Sequence, residues 1–190
     1  MASPAQNPTP QPAPASGFCF AIADVARACR VWGPELKTFV PAPLDPVQLM
    51  WAFANKESTH EEHGFLGCEP RFEPAYYTAG RYASTVLMRD LIAQFDRDAA
   101  KSYGPWQVMY VNACKWRPED FQHLDICAES FVSYLQNKCR VHRPQTLEQF
   151  GQLYNDGHIV TPPAMPSAQV QGYCHHLAEW YKIPLPPEEA

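Results

Sequence analysis

The stretch DPVQLMWAFANKES, Asp45–Ser58, decides how this chain is read. Asp45 is a short acceptor placed to cap a helix. Pro46 suits the first helical position because its missing N–H would go unpaired there anyway, and Gln48 stands where a capping box wants a polar side chain. Val47, Met50, Trp51 and Ala54 then recur at helical spacing, and the pattern runs out at Glu57-Ser58. The segment predicts a buried helix that ends in a carboxylic acid.

The same periodicity extends to both sides. Phe20–Val31 places Ile22, Val25, Ala28 and Val31/Trp32 on one face before Gly33 and Pro34 stop it, and Pro41–Pro43 form a connector. From Thr59 to Gly80 the pattern is broken by Gly64, Gly67, Pro70 and Pro74. Helical spacing returns at Ser84–Asp98, with Val86, Leu87, Leu91, Ile92 and Phe95 expected inward. A loop, Lys101–Gly104, precedes further helices expected at Trp106–Cys114, Asp125–Lys138, Thr146–Tyr154 and Ser167–Tyr181. No segment sustains strand alternation and no repeat is present, so the expected fold class is mainly α.

The organisation expected is a Pro/Ala-rich linker over residues 1–17, one folded domain over 18–183 and a flexible tail over 184–190. The 190 residues suffice for a single core, and 46% hydrophobic with 13% aromatic content supports folding. A net charge of -5 with mixed signs leaves no basic footprint for nucleic acid, and no run is long enough for a membrane span. The N-terminus lacks the basic start and apolar stretch of a secretion signal, which predicts synthesis in the cytoplasm. The seven cysteines are odd in number and form no CxxC pair, so they read as reduced, mostly buried thiols, with one or two disulfides as the alternative.

Four separated segments carry a resemblance: KES at Lys56–Ser58, RFEPAYY at Arg71–Tyr77, SYGPWQVM at Ser102–Met109 and LYNDG at Leu153–Gly157. In this order they resemble the soluble lytic transglycosylase family, related to goose-type lysozymes, and the second segment is similar to that of phage and prophage members. The resemblance spans roughly Leu44 to His158. It implies a lysozyme-like single domain with a substrate groove, acting on the MurNAc–GlcNAc β-1,4 bond of peptidoglycan. A hydrolytic muramidase on the same fold is the alternative, and a catalytically weak peptidoglycan-binding domain a further one. Action at the bacterial cell wall follows, in phage or prophage lysis or within a virion or secretion assembly reached through the N-terminal linker.

Cutting a glycosidic bond needs an acid that protonates the leaving oxygen, so its pKa must be raised by apolar surroundings. The resemblance gives this role to Glu57. In a transglycosylase the same carboxylate then takes a proton from the sugar's own hydroxymethyl group, so a second carboxylate is not required. Glu73 is the candidate for a second one, with a structural ion pair to Arg71 or another arginine equally open. Ser58, Gln107, Trp106, Tyr154 and Asn155 are the candidate substrate-binding residues; Tyr154 matches the tyrosine that touches the acid or the substrate N-acetyl group, a core role being the other reading.

Two departures from the family pattern stand out. Pro105-Trp106 replaces Leu-Met in the middle segment, and Asp156 replaces Ala in the third. Trp106 could stack on a sugar ring or partly fill the site. Asp96 and Asp98 read as either a water-positioning pair or a solvated helix end. His60, Glu61, Glu62 and His63 lack HExxH spacing, and Cys174-His175-His176 has no partner motif, so no metal or cofactor is assigned.

Overall fold

The computed structural model describes residues 19–58, 65–67, 69–78 and 80–188. The linker expected over 1–17 and the His60–His63 cluster lie outside the described residues. The chain is mainly helical. Short strands β1 (Phe20–Ala21) and β2 (Phe65–Leu66) pair antiparallel, while β3 (Arg71–Phe72), β4 (Lys101–Tyr103) and β5 (Val108–Met109) form a second antiparallel sheet in the order β3-β4-β5. The helices are α1 (Ile22–Trp32), α2 (Pro46–Glu57), α3 (Val86–Phe95), α4 (Leu124–His142), α5 (Leu147–Asp156) and α6 (Ala168–Tyr181).

Helix α2 begins where its sequence requires. The Asp45 carboxylate accepts from the Gln48 N–H at 2.7 Å, and Pro46 occupies the first helical position. Its surroundings go beyond a one-faced helix, since every residue from Leu49 to Asn55 is buried. A helix enclosed on all sides is central, and α2 packs against α1 and α6, with α5 against α6. Thr85, Thr146 and Ser167 cap α3, α5 and α6 by the same side-chain chemistry, each accepting an N–H from three residues on.

Three local expectations are corrected. The helix expected at Trp106–Cys114 is instead β5 followed by a 3-10 turn, Tyr110–Asn112, and the expected loop Lys101–Gly104 contains β4. Ser102 pairs with Met109 and Tyr103 with Val108 around a tight turn. Strands of two or three residues are too short to show alternation, which explains the misreading. The turn depends on Gly104 at φ 72, where a Cβ would stand 2.6 Å from Cys127 Sγ, so only glycine fits. On α3, Val86 and Leu87 are exposed rather than inward, and Met88 and Leu91 are the buried residues.

Two details concern the cysteines and the C-terminal segment. Cys19 is disulfide-bonded, whereas Cys29, Cys127, Cys139 and Cys174 are free and buried and Cys114 is free and exposed. The tail expected to be flexible is held in its described part. Arg30 donates to the Pro186 carbonyl and lies 3.7 Å from Glu188, and Leu185 packs on the core. Just before it, Gln48 Nε2 donates to the Tyr181 and Ile183 carbonyls at 3.0 and 2.6 Å. No described helix is long and apolar enough to cross a membrane.

Candidate functional site

The C-terminal end of α2 is fastened to two other parts of the chain. Arg71 on β3 donates to the Glu57 backbone carbonyl at 2.7 Å, and the Ser58 hydroxyl donates to the Pro105 carbonyl at 2.8 Å. These bonds connect the helix end to the sheet and to the β4–β5 turn, which fixes where Glu57 emerges. Its side chain is partly exposed and opens on a cleft of about 790 Å³ that Glu73, Gln107, Tyr154 and Asn155 also line. Four segments far apart in the chain therefore converge on one cavity.

The Glu57 carboxyl is held in a mostly dry environment. Desolvation by the surrounding protein raises its pKa above the ordinary carboxylate range. A hydrogen bond from the Tyr173 hydroxyl to Oε1 and the charges of Lys56 and Arg71 work against that rise, while the charge of Glu73 adds to it. Burial is the largest of these effects. The Tyr173 phenol is itself pushed well above the usual tyrosine range by burial and by Glu57, so it remains a donor. The Lys56 ammonium lies over the Tyr173 ring, 4.4 Å from its centre.

The floor is rigid. Gln107 sits at φ 47, an uncommon backbone for a side chain of its size. Its Oε1 accepts from the Ser102 hydroxyl at 2.7 Å and its Nε2 donates to the Gly104 carbonyl at 2.9 Å. That leaves one amide hydrogen and one lone pair directed elsewhere, enough for a single ligand contact.

Several sequence expectations take a different place. Trp106 is fully buried, stacks on Phe131 with ring centres 5.6 Å apart, and donates through Nε1 to the Met50 carbonyl at 2.9 Å. It belongs to the core and not to the cleft lining, because the β4–β5 turn that Pro105 helps to form directs its indole inward against α2. Ser58 is buried too and spends its hydroxyl on Pro105. Tyr154 lines the cleft with its ring against Phe53, but its hydroxyl donates to the Trp106 carbonyl and not to Glu57. Asp96 accepts from the Tyr77 hydroxyl and Asp98 pairs with Lys101 at 2.6 Å; neither lines the cleft. His175 and His176 meet Glu179 on the exposed face of α6 at 3.4 and 3.0 Å. Among the described residues no group of three or more His, Cys, Asp or Glu side chains is placed to hold a metal ion.

Tyr173 was missed in the sequence. It falls at helical spacing between Val170 and Leu177, so it reads as one more core residue of α6. Only the packing of α6 on α2 brings its hydroxyl to Glu57. No protein-family model, no curated protein and no solved structure matches this chain.

Proposed function

We propose that the chain cleaves the glycan strands of bacterial peptidoglycan as a lytic transglycosylase with a lysozyme-like, goose-type fold. The bond cut is the MurNAc–GlcNAc β-1,4 linkage, and the products carry 1,6-anhydro-MurNAc ends. The observation that carries the reading is the Glu57 carboxyl, desolvated, held by Tyr173 and opening on a polar cleft. A carboxyl whose pKa is raised is protonated nearer neutral pH, which is what a general acid requires.

In the forward step Glu57 gives its proton to the glycosidic oxygen as the bond to the muramyl anomeric carbon breaks. The carboxylate then accepts the proton of the same sugar's C6 hydroxyl, and that oxygen closes on the anomeric carbon. Proton and leaving group balance without water. Tyr173 orients Oε1 through both steps, and Gln107 and Asn155, which line the cleft, supply amides for sugar hydroxyl or N-acetyl groups. Action at the cell wall, whether in phage or prophage lysis or from a virion or secretion assembly, follows from the substrate.

A hydrolytic muramidase is the second reading, and Glu73 favours it: this carboxylate lines the same cleft and its charge reaches Glu57. Mass spectrometry of digested peptidoglycan separates the two. Anhydro ends support the transglycosylase; reducing ends overturn it in favour of water attack assisted by Glu73. Intact strands would leave a glycan-binding domain.

Tyr173→Phe tests the arrangement around the acid. The lost hydrogen bond is one that lowers the Glu57 pKa, so its removal raises that pKa further. The expected result is a fall in kcat of roughly tenfold, from one misplaced charge-assisted hydrogen bond. The alkaline limb of kcat/KM should move to higher pH. A limb that stays put or moves lower contradicts the role given to Tyr173.

A further inference from the structure

The tyrosine hydroxyls of the cleft differ in what they meet. That of Tyr154 donates to the Trp106 carbonyl, and that of Tyr82 accepts from Arg81. Tyr134 on α4 and Tyr76 also line the cleft, and neither hydroxyl forms a hydrogen bond among the described residues. A phenol drawn partly out of water without a protein partner has lost hydration that a ligand acceptor can restore.

Of these two, Tyr134 is the one linked to the acid. Its ring meets that of Tyr154 edge-on with centres 5.5 Å apart, and the Tyr154 ring lies 4.7 Å from that of Phe53. Phe53 stands one turn before Glu57 on α2, so the two side chains leave the same face of the helix. Burial, Tyr76 and the Glu57 charge together push the Tyr134 phenol above the usual tyrosine range, so it stays a donor. Tyr76 lies instead within the fields of Arg81 and Glu73. Tyr154 at the edge of the Tyr134 ring and the Lys138 ammonium 5.6 Å from its centre leave that ring little freedom.

The charges on the cleft lining point to a neutral acceptor. Its described residues carry as many carboxyls (Glu57, Glu73, Asp156) as cations (Arg71, Arg81, Lys138), which leaves no net charge to favour an ionic ligand group. A sugar hydroxyl can give its own proton elsewhere, whereas an amide carbonyl can only accept.

We propose that Tyr134 is a substrate-binding residue whose hydroxyl donates to the carbonyl oxygen of an acetamido group on the glycan in the cleft. This rests on the glycan reading above and adds to it the residue that makes the cleft prefer acetamido sugars. The free phenol, and not that of Tyr154, carries the contact, because the Tyr154 hydroxyl is already spent on the β4–β5 turn.

Tyr134→Phe removes one oxygen and tests the contact by calorimetry on two neutral β-1,4-linked tetrasaccharides. One is the tetramer of N-acetylglucosamine; the other is cellotetraose, which carries hydroxyls in place of the acetamido groups. In the variant the Kd for the acetamido tetramer should rise about fivefold, the worth of one neutral hydrogen bond, with no change for cellotetraose. The thermal midpoint should stay where it is, because the hydroxyl bonds to no described part of the protein. On peptidoglycan, kcat/KM should fall by a similar factor with its alkaline limb in place, unlike the shift expected for Tyr173→Phe. An equal effect on both tetrasaccharides, an effect on neither, or a lowered midpoint overturns the proposal, as does a wild type that binds neither sugar. Peptidoglycan left intact by wild type sinks the cleavage reading alone, and the calorimetry still decides Tyr134.

Discussion

Glu57→Gln should lower kcat/KM on peptidoglycan by about 10²–10⁴-fold, the range typical for removing a general acid. Glutamine keeps the length of the side chain and can still accept the Tyr173 hydrogen bond, so the geometry of the cleft survives while the proton is lost. The same variant should be more stable than wild type at pH 7. The folded-state pKa of Glu57 lies above that of the unfolded chain, so the native state binds this proton more tightly. As pH rises from the ordinary glutamate value of about 4.3, native protein progressively loses stability, because it must hold a charge in a desolvated place. Glutamine carries no such charge. The thermal midpoint of the variant should exceed that of wild type at pH 7, and the gap should close at pH values below the ordinary glutamate range. Turnover retained by a folded Glu57→Gln protein would remove Glu57 from the mechanism. A midpoint difference independent of pH would mean that its carboxyl is not held out of water.

Trp106→Ala should cost about 3–5 kcal/mol of folding stability, the usual penalty for emptying a large aromatic site in a core. The indole is fully buried, stacked on Phe131, and its Nε1 satisfies the Met50 carbonyl of the central helix. Truncation leaves a cavity between the β4–β5 turn and α4 and strips that carbonyl of its side-chain partner. Domains of this size are stable by about 5–15 kcal/mol, so the variant gives up a large share of the total. Urea unfolding should show a lower midpoint with an unchanged slope. Had Trp106 been a sugar platform in the groove, the substitution would instead weaken glycan binding and leave the midpoint almost unmoved. That pattern would return the residue to the cleft.

The fate of Trp106 shows where sequence reading ends. Its neighbour Pro105 and the preceding Gly104 announce a turn, but whether the next side chain points to ligand or core depends on what packs beneath the turn. Here α2 and Phe131 lie beneath it. Ser58 follows the same logic: it adjoins Glu57 in the chain, yet its hydroxyl is consumed by the Pro105 carbonyl. Gln107 was legible as a cleft residue, although the bonds to Ser102 and Gly104 that fix its amide were not.

What the sequence determined by itself is local. Asp45, Pro46 and Gln48 state where α2 begins, and Thr146 and Ser167 cap α5 and α6, because a capping side chain reaches only three residues along its own backbone. Helical apolar spacing gave the mainly α class and put Glu57 at a helix end. What only the tertiary structure decided is non-local: the hydroxyl that Tyr173 brings across from α6, the inward turn of Trp106, and the strands of two or three residues that pair distant segments. Each depends on contacts between residues far apart in the chain, where periodicity carries no information. Glu57 was legible as a carboxylic acid at the end of a helix; its dry setting, its phenolic partner and its cleft came from packing.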